Sequence, residues 1–237
     1  MIEIRGLTKR YGAHTAVDGL TFTAAPGQVT GFLGPNGAGK STTLRMLLGL
    51  DRIDAGTATV TGVPYTSLRR PAGVVGAQLD LGGAHPSHTA RAHLAWIARA
   101  NGLPLGRVDE TLRRVDLERA ARARVRTFSL GMGQRLNLAA ALLGDPQVVI
   151  MDEPVNGLDP AGIRWMRSFT RGLAEEGRTV LLSSHLMDEI SRIADHLVVI
   201  HRGRMVARGG PDQLTVGHDS LEDAFFALTS GTREGAS

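Results

Sequence analysis

The stretch Gly34-Pro35-Asn36-Gly37-Ala38-Gly39-Lys40-Ser41-Thr42 constrains this chain more than any other. It follows the apolar run from Val29 to Leu33 and leads into a helical pattern through Leu44, Leu47 and Leu48. A strand, a glycine-rich turn and a helix start, in that order, make a nucleotide phosphate site. The glycines let backbone N–H groups curl around an anion, and the helix N-terminus adds the positive end of its dipole. Lys40 is placed to reach the β- and γ-phosphates, and the Ser41 hydroxyl to hold Mg²⁺. The chain has only two lysines, Lys9 and Lys40, while arginine supplies nearly all other positive charge. A lysine at this place marks a need for a compact ammonium where a planar guanidinium fork would not fit.

A second constellation lies downstream. The apolar run from Val148 to Met151 reads as a strand buried on both faces, and it ends in Asp152-Glu153. An aspartate at the end of a core strand can hold Mg²⁺, and the adjacent Glu153 would face the γ-phosphate as general base for an attacking water. The next core strand, Thr179 to Ser183, ends at Ser184-His185. A histidine just beyond a core strand can reach a γ-phosphate and sense it. Of the eight histidines, His185 is singled out by its position.

The coarse pattern is α/β. Residues 2–5 and Leu20 to Thr23 alternate and read as antiparallel strands beside the nucleotide-binding core. Thr57 to Thr61 and Val74-Val75 read as further strands, and Leu197 to His201 with Arg204 to Ala207 as strand, turn and strand. From about Thr89 the texture turns helical, with Leu94, Trp96 and Ile97 on one apolar face and Val108, Leu112 and Val115 on another. The segment 85–127 reads as a helical insertion within an α/β domain. Ser129 is expected to cap a helix through Met132, Leu136, Ala139, Ala140 and Leu143. Asp159-Pro160 is expected to start another through Ile163, Met166, Thr170 and Leu173. Leu221 to Leu228 reads as a short amphipathic helix, and Gly231 to Ser237 as a frayed tail. One domain is expected, with residues 1–84 and 128–230 forming the core.

Composition excludes several function classes. No cysteine means no disulfide framework, zinc-thiolate site or thiol nucleophile. No apolar run approaches the roughly 20 residues of a membrane span, and the N-terminus lacks a signal-peptide pattern. The net charge of +4 and few aromatics give no nucleic-acid signature, so no direct nucleic acid partner is expected. Cytoplasmic residence is the expectation, with membrane association through a partner protein or a weakly basic face.

The ordered motifs carry a family resemblance. The phosphate loop 34–42, the segment Ser129-Leu130-Gly131-Met132-Gly133-Gln134-Arg135, the strand into Asp152-Glu153-Pro154, Asn156-Gly157-Leu158-Asp159 and Ser184-His185 follow the order of an ABC transporter ATPase. The resemblance spans essentially the whole chain. It implies a P-loop NTPase core of parallel strands with an antiparallel β subdomain and the helical insertion, binding ATP and Mg²⁺. Phe128-Ser129-Leu130-Gly131-Met132 resembles the signature of bacterial drug- and antibiotic-exporter ATPases. It departs from the commonest Leu-Ser-Gly-Gly-Gln form but keeps Ser129 and Gly131.

Such ATPases sandwich two ATP molecules between two head-to-tail subunits. The resemblance therefore implies that Ser129 and Gly131 of one subunit face the phosphate loop, Asp152, Glu153 and His185 of the other. Asp159 falls at the position linking the two sites, and Tyr11 at the position of the aromatic that stacks on adenine. The family also places a glutamine that touches Mg²⁺ and the attacking water. Here the register puts Asp80 in that slot, with Gln78 as the rival. The implied assembly is a homodimer, or a pair with another ATPase subunit, on a separate polytopic membrane permease that docks on the helical insertion and the loop before it. A soluble ABC-type ATPase acting on ribosomes or DNA is the alternative, and a phosphate-loop kinase a more remote one. Such soluble ATPases usually carry two cassettes or long coiled coils, and this chain has neither.

Overall fold

Two sheets share one chain in the computed structural model, which describes residues 1–79 and 83–230. Strands β1 (Ile2–Tyr11), β2 (His14–Ala24) and β4 (Ala55–Val60) form an antiparallel sheet in the order β2-β1-β4. The second sheet has six strands: β3 (Val29–Leu33), β5 (Val75–Gln78), β6 (Val148–Asp152), β7 (Thr179–Ser184), β8 (His196–His201) and β9 (Arg204–Gly209). Their order is β5-β6-β7-β3-β8-β9, parallel except for the last pair.

The parallel strands read as continuous apolar runs because both of their faces are covered. Val149 and Met151 of β6, Val180 and Leu182 of β7, and Leu197 and Val199 of β8 point into one core, filled out by helices. Val148, Ile150, Leu181, Val198 and Ile200 point into the other. That second core is completed by Ile2, Ile4, Leu20 and Phe22 of the antiparallel sheet and by Leu44 and Leu47 of helix α1 (Lys40–Leu47). Each fully buried aliphatic side chain is worth about 1.5–3 kcal/mol, so both layers hold the sheet strongly.

Between β5 and β6 the chain runs through α2 (Ala90–Ala100), α3 (Gly106–Arg114), two short 3-10 turns and α4 (Leu130–Leu142). Thr89 caps α2, its hydroxyl accepting from the Ala92 N–H. Helix α5 (Pro160–Glu175) joins β6 to β7, and α6 (Met187–Ser191) joins β7 to β8. Helices α7 (Pro211–Leu214) and α8 (Leu221–Ser230) follow β9.

Several elements differ from the sequence expectation. β1 and β2 run on past their alternating cores to meet at the tight turn around Gly12, where Tyr11 pairs with His14. The strand expected at Val74-Val75 begins at Val75 and continues to Gln78, because it borrows its register from β6. Trp96 does not lie on the apolar face of α2. It is 64% exposed, since Ala90, Leu94, Ala95 and Ala98 already fill that side. The short α6 and α7 carry too few residues to show a period. Residues 231–237, expected to fray, lie outside the described residues.

Candidate active site

Strand β3 is buried along its whole length and delivers the chain to Gly34, whose N–H donates to the Ser184 carbonyl at the end of β7 (3.3 Å). A Cβ at Gly34 would lie 2.5 Å from the Ile200 carbonyl oxygen. Gly39, with φ +104°, precedes α1, and a Cβ there would lie 2.5 Å from the Ala16 carbonyl oxygen. At these two positions the loop thus fits against β8 and β2 only as glycine. No acidic residue stands in the first turn of α1, so its N-terminal dipole is left for an anion.

Lys40 is 5% exposed. Its Nζ donates to the carbonyls of Gly34 (2.7 Å) and Pro35 (3.3 Å) and lies 3.2 Å from Glu153 Oε1. Ser41 is exposed at the helix start, Thr42 half-buried, and the Thr43 hydroxyl donates to the Gly39 carbonyl (2.8 Å).

Strands β6 and β7 bring the acidic pair and the histidine to the same sheet edge as the phosphate loop, because the sheet order sets β6, β7 and β3 side by side. Asp152 is the last residue of β6 and pairs with Ser183, whose hydroxyl donates to Asp152 Oδ1. Glu153 turns out of the strand at φ +50°, a left-handed conformation unusual for glutamate. Its N–H, donating to the Ser183 carbonyl (3.1 Å) and hydroxyl (3.2 Å), holds that turn in place. The Glu153 carboxylate bridges two groups: Oε1 faces Lys40, and Oε2 lies 2.9 Å from His185 Nδ1. A carboxylate only accepts, so Nδ1 carries the proton of that pair and Nε2 is left for another partner. The Ser184 hydroxyl and the His185 N–H also approach Oε2, each at 3.4 Å. The roles of Ser183 and Ser184 were not foreseen from sequence. Their one signal is a pair of hydroxyls ending an otherwise apolar strand.

Ser129, Gly131 and Asp159 meet in a different cleft, of about 490 Å³. The Ser129 hydroxyl caps α4 by accepting from the Met132 N–H (3.3 Å), and Asp159 Oδ1 caps α5 by accepting from the Gly162 N–H (2.7 Å). Arg135 stacks over Trp165 (4.1 Å to the ring centroid), and both contact Asp116, which accepts from Trp165 Nε1 at 2.7 Å. This cluster was also missed, since its members come from three separate segments. Pro35, Asn36 and His185 line another cleft, of about 450 Å³.

Tyr11 ends β1, half exposed, with its hydroxyl donating to Asp51 (3.3 Å). Gln78 is 4% exposed and its amide donates to Gln134 of α4. Asp80 lies outside the described residues.

A model of the family described as ABC transporter matches residues 17–156. The chain belongs to the ABC transporter family. It is 41% identical over 230 residues to the "Nod factor export ATP-binding protein I" of Ralstonia nicotianae, covering 94% of this chain and 72% of that protein. It is 43% identical over 229 residues to the protein of the same name from Paraburkholderia xenovorans, covering 93% and 75%. A solved "ATP binding subunit of ABC transporter" superposes with a TM-score of 0.85 at 28% identity, covering 97% of this chain and 99% of that one.

The chain is thus the ATP-binding subunit of an ABC transporter, and an ATPase. The site of this ABC ATPase suits its substrate: a loop with no room for a Cβ at Gly34 or Gly39 leads into a helix N-terminus, with a buried ammonium beside it. Ser41 and Asp152 offer two hard oxygen donors, the number Mg²⁺ takes from protein when substrate phosphates supply others. Among the described residues no helix is long and apolar enough to cross a membrane.

Proposed function

We propose that this chain is the ATP-hydrolysing motor of an exporter, paired head to tail with a second ATPase subunit or a second copy of itself. It sits at the cytoplasmic face of the cell membrane on a separate polytopic permease. The names of the relatives support export, and the signature segment at Ser129 supports a drug or antibiotic as cargo. Residues 1–84 and 128–230 would form the nucleotide-binding core, and the helical segment 85–127 the dock for the permease.

One observation carries the pairing. Within one chain Ser129, Gly131 and Asp159 line one cleft, while Pro35, Asn36 and His185 line another. A second copy, turned head to tail, would bring the first set to the second.

In this reading the loop from Gly34 to Thr42 cradles the phosphates and Lys40 binds the β- and γ-phosphates. Ser41 and Asp152 hold Mg²⁺, with Asp80 in the glutamine position. Mg²⁺ supplies charge neutralisation on the phosphates when bound. Tyr11 stacks the nucleobase and Asp159 joins the two sites. A γ-phosphate competes with Glu153 for the Lys40 ammonium and the His185 imidazole. Its arrival would free a Glu153 oxygen to take a proton from water, while His185 turns to the phosphate.

Glu153→Gln keeps the shape and removes the base. Turnover should fall about a hundredfold or more, ATP should still bind, and the protein should elute as a dimer with ATP on size exclusion. Wild-type turnover would remove Glu153 from the mechanism. A tagged Glu153→Gln chain captured with ATP from its native membranes in mild detergent should bring down a polytopic membrane protein. Recovery of ribosomes or nucleic acid alone would overturn the exporter reading.

A further inference from the structure

Both lysines of this chain stand at the proposed nucleotide site, and Lys9, the second, has no part in the mechanism above. Lys9 is 9% exposed. Its Nζ donates to the Arg52 carbonyl (2.7 Å), lies 3.5 Å from Asp54 Oδ1, and sits 5.2 Å from the centroid of the Tyr11 ring. Held by two oxygens, the ammonium occupies one face of that ring in a cation–π contact.

The Tyr11 hydroxyl is fixed as well. It donates to Asp51 Oδ2, and the same carboxylate accepts two hydrogen bonds from the Arg45 guanidinium (2.8 and 3.1 Å). Arg45 belongs to α1, the helix that starts at the phosphate loop. Ring, carboxylate and guanidinium thus form a brace between the end of β1 and the phosphate helix. The hydrogen bond from Arg45 also holds the Asp51 carboxyl below its ordinary range.

We infer that Lys9 and Asp51 are positioning residues that preset Tyr11 as a nucleobase platform at a fixed distance from the phosphate loop. Lys9 backs one face of the ring and leaves the other to the base. Asp51 fixes the ring's tilt by tying its hydroxyl to α1. The inference rests on the reading of Tyr11 as the nucleobase contact.

The test compares two probes on the full chain with Mg²⁺: ATP, and inorganic tripolyphosphate, which has the phosphates and no base. Tyr11→Ala should weaken ATP about fivefold or more, the usual worth of one stacked base, and leave tripolyphosphate unchanged. Tyr11→Phe and Asp51→Ala should each weaken ATP about threefold, and together no more than either alone, because they cut the same link. Lys9→Met should likewise weaken ATP alone. Tyr11→Phe changes an exposed residue and Asp51→Ala a partly exposed one, and they keep the test decisive should the buried Lys9 variant fold poorly.

Unchanged ATP affinity in Tyr11→Ala would remove the platform reading and the inference with it. A weakened Tyr11→Ala beside unchanged Tyr11→Phe and Asp51→Ala would leave the platform standing and overturn the positioning role. Equal losses for ATP and tripolyphosphate in Asp51→Ala would overturn it too, showing that the network only staples the loop after α1 to β1.

Discussion

Gly39 sits where two constraints meet, a φ of +104° and the Ala16 carbonyl 2.5 Å from any added Cβ. Gly39→Ala should therefore lower stability by about 1–3 kcal/mol and abolish nucleotide binding, read by denaturant unfolding and an ATP titration. Retained binding at wild-type affinity would show that the loop tolerates other shapes. Asp152, Glu153 and His185 are legible in the sequence because each stands at or just past the end of a core strand, and Lys40 because it opens α1 directly after the glycine-rich loop. The clamp on Glu153 is not, because Ser183 acts across a parallel strand pair and no local pattern announces its partner. Nor is the burial of His93 (5% exposed), since a histidine inside an alanine-rich helix looks like a surface residue.

The helices α4 and α5 both begin at residues that cap them and that the proposed pairing also turns toward a second subunit. Ser129 and Asp159 satisfy N-terminal N–H groups of their own helices, and both line the cleft assigned to the second subunit. The two caps differ in quality: Asp159 is charged and 2.7 Å from its donor, whereas Ser129 is 3.3 Å from its own. Asp159→Ala should cost about 1–2 kcal/mol of stability and Ser129→Ala about 0.5–1. ATPase turnover should fall more in the serine variant. Thermal unfolding and turnover measured on the same preparations separate the two effects, and a matched ranking in both would mean that Ser129 acts only as a cap. These helix starts are legible from Ser129 and Asp159-Pro160. Strand ends are less so: β5 reaches Gln78 because β6 extends beside it, a pairing that short sequence windows do not contain.

Across the whole molecule, stability should depend on pH through two histidines. Burial, reinforced by His88, pushes the His93 imidazole below its ordinary value, and burial with the nearby Arg202 does the same to His201. The unfolded chain takes up protons on these rings below about pH 6.5, where the folded chain still resists them. The unfolded state is therefore favoured as pH falls from that value through the lowered folded ones. The denaturant midpoint should drop between pH 7.5 and 5.5, and His93→Gln should flatten the profile. A flat wild-type profile would contradict this.

The sheet order has a consequence in time. β3 lies between β7 and β8, with Val29 against Val180 and Thr30 against His196, so the phosphate loop rests on strands made long after it. A growing chain that has released residues 34–42 has neither the neighbours of β3 nor Glu153 and His185. Contacts this distant in sequence close slowly, and a ligand lends its binding energy only to the state that holds it. ATP should then act late in biogenesis, as a seal on finished molecules and not a seed for their folding.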